Sequence, residues 1–201
     1  MSLAEQLHKR KKQIRAHLAK GAVDVLCFLQ QRFDQCDPST DRLFQFAFIH
    51  FYQLDNAKLT NKFFSTYFEI LRDNKKGTTE PAAFAKKLYR IANTKGQKSL
   101  QISFVSKLCA TIDPTHPIYD KHVTSFYGLP KRHTSQGFDR RIAGFLDDFA
   151  TIRTKATEIL ANQDIKAMIA DVRTSFPLAT CSLIPDMRVI DLLVYAHGAS
   201  Q

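Results

Sequence analysis

The sequence predicts an all-α fold, a single compact multi-helix domain of about nine helices over residues 1–201. Three observations predict it. Apolar residues recur at three- and four-residue spacing nearly throughout, and no segment alternates apolar with polar residues as a half-buried strand does. Seven Gly and seven Pro are few for a chain of tight β-turns. No run of about 18 apolar residues is present to span a membrane.

The elements follow in order. Leu7, Ile14, Leu18, Val25, Leu29 and Phe33 form one stripe on a long basic N-terminal helix over residues 1–36, which Asp37-Pro38-Ser39-Thr40 ends. Asp41 to Leu54 is apolar almost all round, with Leu43, Phe44, Phe46, Phe48, Ile49, Phe51 and Tyr52, and reads as a central helix. Thr60 caps a third helix carrying Phe63, Phe64, Tyr67, Phe68 and Leu71. Pro81 opens a fourth, in the first turn where its missing donor costs nothing, and that helix is expected to reach about Asn93. After the connector Asn93–Lys98, the residues Leu100, Phe104, Leu108 and Ile112 mark a helix from Ser99 to Ile112. Asp120 stands where the cap of a short helix from Lys121 to Tyr127 belongs. Gly128-Leu129-Pro130 closes that helix, a long one spans Phe138 to Leu160, and two shorter ones cover about 165–175 and 185–197. Residues 80–128 and 138–197 thus form the later two parts of the domain. Sixteen Phe and no Trp point to a Phe-rich core.

Composition narrows the function. The hydrophobic fraction of 44% and charged fraction of 24% belong to a folded globular chain rather than a disordered one. Cys27, Cys36, Cys109 and Cys181 lie far apart with no CxxC pair, which argues against structural zinc and a disulfide framework. With no secretory leader at the N-terminus, the expected compartment is the cytoplasm. The net charge is +10, and it is uneven: residues 1–100 hold 18 basic and 9 acidic residues, whereas 101–201 hold 11 and 10. One basic cluster is Lys9, Arg10, Lys11, Lys12, Arg15 and Lys20. The other is Lys75, Lys76, Lys86, Lys87, Arg90, Lys95, Lys98 and Lys107, interrupted only by Glu80. Concentrated positive charge attracts polyanions, so the expected partner is nucleic acid, foremost duplex DNA; solvated Lys-rich helix faces are the plain alternative.

The stretch Lys98 to Val123, KSLQISFVSKLCATIDPTHPIYDKHV, resembles the helix, loop and Pro-x-x-Asp junction of the helix-hairpin-helix DNA glycosylase superfamily. The resemblance covers about residues 93–123: Asn93 to Lys98, with Gly96, matches the hairpin, Ser99 to Ile112 the second helix, and Pro117 to Val123 the aspartate junction. It implies a hairpin whose backbone N–H groups grip a DNA phosphate, and Asp120 at the mouth of a base pocket. The family hairpin usually reads Leu-Pro-Gly-x-Gly, where this chain has Lys95-Gly96-Gln97. Bifunctional members carry a lysine 18 or 19 residues before the aspartate, and those positions are Ile102 and Gln101 here, with Lys98 and Lys107 22 and 13 residues before Asp120. The implied enzyme is therefore monofunctional, with no cofactor and only the carboxylate required; Lys107 stays a secondary catalytic candidate.

The chemistry is sound at the residue level. Breaking an N-glycosidic bond builds positive charge on the sugar, which a fixed carboxylate at Asp120 stabilises, or the carboxylate activates water. The base must first leave the stack for an aromatic pocket, for which Phe104, Tyr119 and Phe126 are the candidates. Lys86, Lys87, Arg90, Lys95, Gly96, Lys98, Lys131 and Arg132 are the candidate nucleic-acid contacts, and Arg140-Arg141 could add to them. An aspartate before a short helix also serves as a purely structural N-cap, and the two roles can coexist. His116, Asp120 and His122 are metal-ligand types, but Pro117 intervenes and no second cluster accompanies them, so no metal is expected. Ser106 and Lys107 are adjacent on a helix and do not face each other as a dyad. The competing function is a non-catalytic helical module that binds nucleic acid or protein through its N-terminal basic segment.

Overall fold

A computed structural model describes residues 1–18, 21–75, 77–130, 137–175 and 184–200, without the side chains at 56 and 57. The described residues form eleven α-helices, one short 3-10 turn and no strand. The expected N-terminal helix is three helices, α1 (Leu3–Lys9), α2 (Lys11–Leu18) and α3 (Ala22–Gln35), which accounts for eleven where about nine were expected. Arg10 ends α1 outside helical geometry, and Gly21 precedes α3 at φ 91°, a left-handed conformation that glycine adopts without steric cost. The apolar spacing of the sequence continues across both breaks, which is why spacing alone reads one rod.

The helix α4 (Arg42–Phe51) begins with Asp41 accepting from Leu43 N and Phe44 N. It buries Phe44 and Phe48, but Leu43 and Phe46 are 54% and 63% exposed, so it packs by one face and is not the all-round core helix expected. Tyr52 caps it and Gln53 turns left-handed at φ 54°, leading into the 3-10 turn Leu54–Ala57. Helix α5 (Asn61–Asp73) starts from Thr60 as expected. Helix α6 (Pro81–Tyr89) stops four residues short of Asn93, and α7 (Ile102–Ile112) begins three residues after Ser99. Then come α8 (Lys121–Phe126), α9 (Phe138–Ala161), α10 (Gln163–Ser175) and α11 (Asp186–Ala199). No helix among the described residues is long and apolar enough to cross a membrane.

Two hydrophobic clusters organise these helices. The first gathers Leu7, Ile14 and Leu18 of α1 and α2 with Ile165 and Ile169 of α10 around Ile190, Leu193 and Val194 of α11. The second is aromatic: Phe33, Phe44, Phe48, Phe63, Tyr67 and Phe68 pack with Leu108 of α7 and Phe145 of α9. Helices α3 and α9 cross from one to the other. Val23, Leu26 and Cys27 lie in the first and Leu29 and Phe33 in the second, while Phe149 lies in the second and Ile152 in the first. Phe51 and Tyr119 pack against both clusters.

Candidate catalytic cavity

A cavity of about 690 Å³ opens where residues of the two clusters meet, lined by Tyr52, Phe104 and Ile118 from the second and by Val123 and Leu192 from the first. Five charged side chains line it as well: Lys107, Asp120, Lys121, Arg188 and Asp191.

Lys107 belongs to a stretch of α7 that is buried from Phe104 to Thr111, and it is only 8% exposed itself. Its Nζ donates to the Tyr52 carbonyl at 2.9 Å. That carbonyl is available because α4 ends there, leaving its last carbonyls without intrahelical donors, and a cation suits the negative end of the helix dipole. The ammonium also lies 5.7 Å from the Tyr52 ring centroid and 5.4 Å from that of Phe104. Burial pulls the Lys107 amine down to about 8 from its ordinary 10.5, while the Asp120 carboxylate pulls the other way. Lysine 13 residues before the aspartate thus reaches the same cavity, which linear spacing did not indicate.

Asp120 is half-buried in extended backbone geometry and caps α8. Its Oδ1 accepts from both His122 N at 2.8 Å and Val123 N at 2.9 Å. Both cap bonds use one oxygen, so the cap does not consume Oδ2. The junction before it is tied down twice. Ser106 Oγ accepts from Tyr119 N at 2.9 Å, and the Asp191 carboxylate accepts from Ile118 N at 3.2 and 3.3 Å.

Arg188 and Asp191 are buried one turn apart on α11. Arg188 Nη1 donates to Asp191 Oδ2 at 2.8 Å and Nη2 to the Tyr52 hydroxyl at 2.6 Å. Burial pushes the Asp191 carboxyl up, with Arg188 and the Ile118 amide opposing, and burial likewise raises the Tyr52 phenol. Close packing of α8 on α11 needs Gly198, where a Cβ would sit 2.6 Å from His122 Nδ1. The His122 ring meets Tyr195 edge-on at 5.2 Å, and Gln53 Nε2 donates to the Tyr195 hydroxyl at 3.3 Å. Gln53, His122 and Tyr195 line the cavity wall.

Of the three expected pocket aromatics, Phe104 lines the cavity. Tyr119 packs edge-on to Phe145 and donates to Asp148 Oδ2 at 3.2 Å, and Phe126 is buried in the first cluster against His197. The Gly96 connector spends its amides within the fold. Asn93 N donates to Gln97 O, Thr94 N to Lys58 O and Gly96 N to Asn93 O, while Lys95 N and Gln97 N donate to Asn93 Oδ1. Every amide from Asn93 to Gln97 is thereby engaged, and Gly96 is left-handed at φ 74°. Lys86, Lys87, Arg90, Lys95 and Lys98 are exposed, whereas Lys131 and Arg132 lie outside the described residues. In the N-terminal run Lys9, Lys11 and Lys12 are exposed, Arg15 pairs with Asp171 at 3.3 Å, and Arg10 Nη2 donates to Ser200 O at 2.8 Å, closing the end of α11. No metal-binding group of three or more His, Cys, Asp or Glu occurs among the described residues.

Tyr52, Arg188 and Asp191 were not among the expected site residues. The available signal was the charged pair Arg188 and Asp191, spaced three apart inside the apolar run from Met187 to Ala196. The fold and cavity define a helical protein with a buried amine and a carboxylate facing a common space. Comparison with protein-family models, curated proteins and solved structures finds no match for the chain.

Proposed function

We propose that this is a DNA-binding protein of the base-excision type, an N-glycosylase acting at the cavity between the two clusters. One observation carries the reading: Asp120 caps α8 with a single oxygen while lining a cavity shared with the buried amine of Lys107. Asp120 stabilises the sugar cation or activates the attacking water, and a base out of the stack meets the rings of Phe104, Tyr52 and Tyr195. The exposed Lys86, Lys87, Arg90, Lys95 and Lys98 hold the phosphates by side chains, because the connector amides are spent within the fold. The test is release of free base from duplexes carrying a panel of damaged bases. The native chain should release at least one, and Asp120→Asn should lose release by about 100-fold or more with DNA affinity retained. Equal activity in that variant removes Asp120 from the chemistry. An adduct with DNA trapped by borohydride, and lost in Lys107→Met, would add a nucleophilic role for the amine.

The engaged connector amides favour a second reading, a non-catalytic module that binds nucleic acid through Lys9, Lys11 and Lys12. A salt titration separates the two. Neutralising both Lys95 and Lys98 should flatten the slope of log K against log salt by about 1.8 if they contact duplex phosphates, at about 0.9 per contact. An unchanged slope, with loss on neutralising Lys11 and Lys12, assigns binding to the N-terminal helices.

A further inference from the structure

A buried ion pair contributes little stability beyond apolar residues of the same volume. The meaning of Arg188 and Asp191, at 3% and 7% exposure, therefore lies in what they hold. Both reach off α11. Asp191 takes the Ile118 amide, two residues before Asp120, and Arg188 gives Nη2 to the Tyr52 hydroxyl. The carbonyl of the same Tyr52 takes Lys107 Nζ. These bonds form one continuous path from Lys107 through Tyr52, Arg188 and Asp191 to the backbone that carries Asp120.

We infer that Tyr52, Arg188 and Asp191 are positioning residues that fix Lys107 and Asp120 relative to each other across the cavity. The end of α4, the middle of α7, the start of α11 and the junction before α8 each supply one link. Lys107 and Asp120 are thereby held by a hydrogen-bonded frame as well as by packing. Arg188 is the middle link of this path: it has the Asp191 carboxylate on one amino group and the Tyr52 hydroxyl on the other, so moving it disturbs both halves. The charged and titratable groups facing the cavity besides these are Lys121, His122 and Tyr195.

The inference takes the Lys107–Asp120 cavity as the working site, but its test needs no substrate. Competitive acetylation of the full chain with acetic anhydride across pH, read by mass spectrometry, reports the midpoint of Lys107, with exposed lysines as the internal reference. In the native chain that midpoint should stand near 8. Asp191→Asn weakens the anchor on Ile118 and so the hold on Asp120, the carboxylate that pulls the amine upward. The Lys107 midpoint should fall further, and amide exchange from Ile118 to Val123 should quicken by about tenfold. Tyr52→Phe removes one hydroxyl, keeps the carbonyl, and should move both readouts in the same direction by less. Native values of both readouts in Asp191→Asn and Tyr52→Phe would overturn the inference. Should Asp191→Asn fail to fold, Tyr52→Phe decides alone. Absence of base release by the native chain would remove the glycosylase reading and leave this frame standing, whereas unmoved readouts in the variants would remove the frame whatever the native chain releases.

Discussion

Lys107→Met should give a protein more stable than the native chain by about 2 kcal/mol at pH 7. The amine is buried with a single hydrogen-bond acceptor, and its folded value of about 8 against an ordinary 10.5 measures the cost of holding it charged. At ~1.4 kcal/mol per pH unit between those values the cost is about 3 kcal/mol. Methionine follows the same path with an adaptable apolar stem, but leaves the Tyr52 carbonyl without its donor, which returns about 1 kcal/mol. The pH dependence has a definite sign. Below about pH 8 the amine is charged both folded and unfolded and the full cost is present. Between about 8 and 10.5 the unfolded chain binds more protons than the folded one, so native stability rises with pH, and above that window the cost is gone. Urea unfolding at pH 7 should show a higher midpoint for Lys107→Met with an unchanged slope, and the gap to the native chain should close toward pH 10.5. A variant less stable than the native chain, or a gap constant with pH, would show that the amine is not held at a cost.

How much of this was legible in the sequence differs by element. Helices α4, α5, α6 and α8 start at the expected places because each has a local signal: Asp41, Thr60 and Asp120 accept from backbone amides at helix starts, and Pro81 opens α6. The N-terminal segment reads as one helix because its apolar spacing continues past Arg10 and Gly21, and a periodicity cannot register a break that preserves the period. The exposed Phe46 and Leu43 were misread because an apolar helix has no sequence mark for which side meets a neighbour. The candidate site divides the same way. Asp120 was legible because capping is local. Lys107 is only a secondary candidate from the sequence, because its place depends on the end of α4 lying against the middle of α7, a contact between residues 55 apart in the chain. Tyr52, Arg188 and Asp191 depend on contacts longer still, 136 residues for Arg188 and Tyr52.

Removing Arg188 should be the most damaging single change in the cavity. Arg188→Met leaves Asp191 buried without its cation, and breaking a buried pair by one partner costs about 3–5 kcal/mol. Its carboxyl, already raised by burial, loses the charge that opposes the rise. A carboxyl raised in the folded state stabilises the fold while protonated, and that contribution is lost as pH rises through its folded value, so the variant should be weaker at pH 8 than at pH 5 relative to the native chain. Arg188→Met with Asp191→Leu replaces both charges by apolar groups and should regain part of the loss. The recovery stays incomplete because the Ile118 amide and the Tyr52 hydroxyl lose their partners, at about 1–3 kcal/mol for each group left buried and unsatisfied. A double-mutant cycle measures the coupling directly: the two single losses should exceed that of the double variant by at least about 1 kcal/mol. Additive losses would mean that Arg188 and Asp191 act on the fold separately, and the path from Lys107 to the Asp120 junction would then be broken at its middle link.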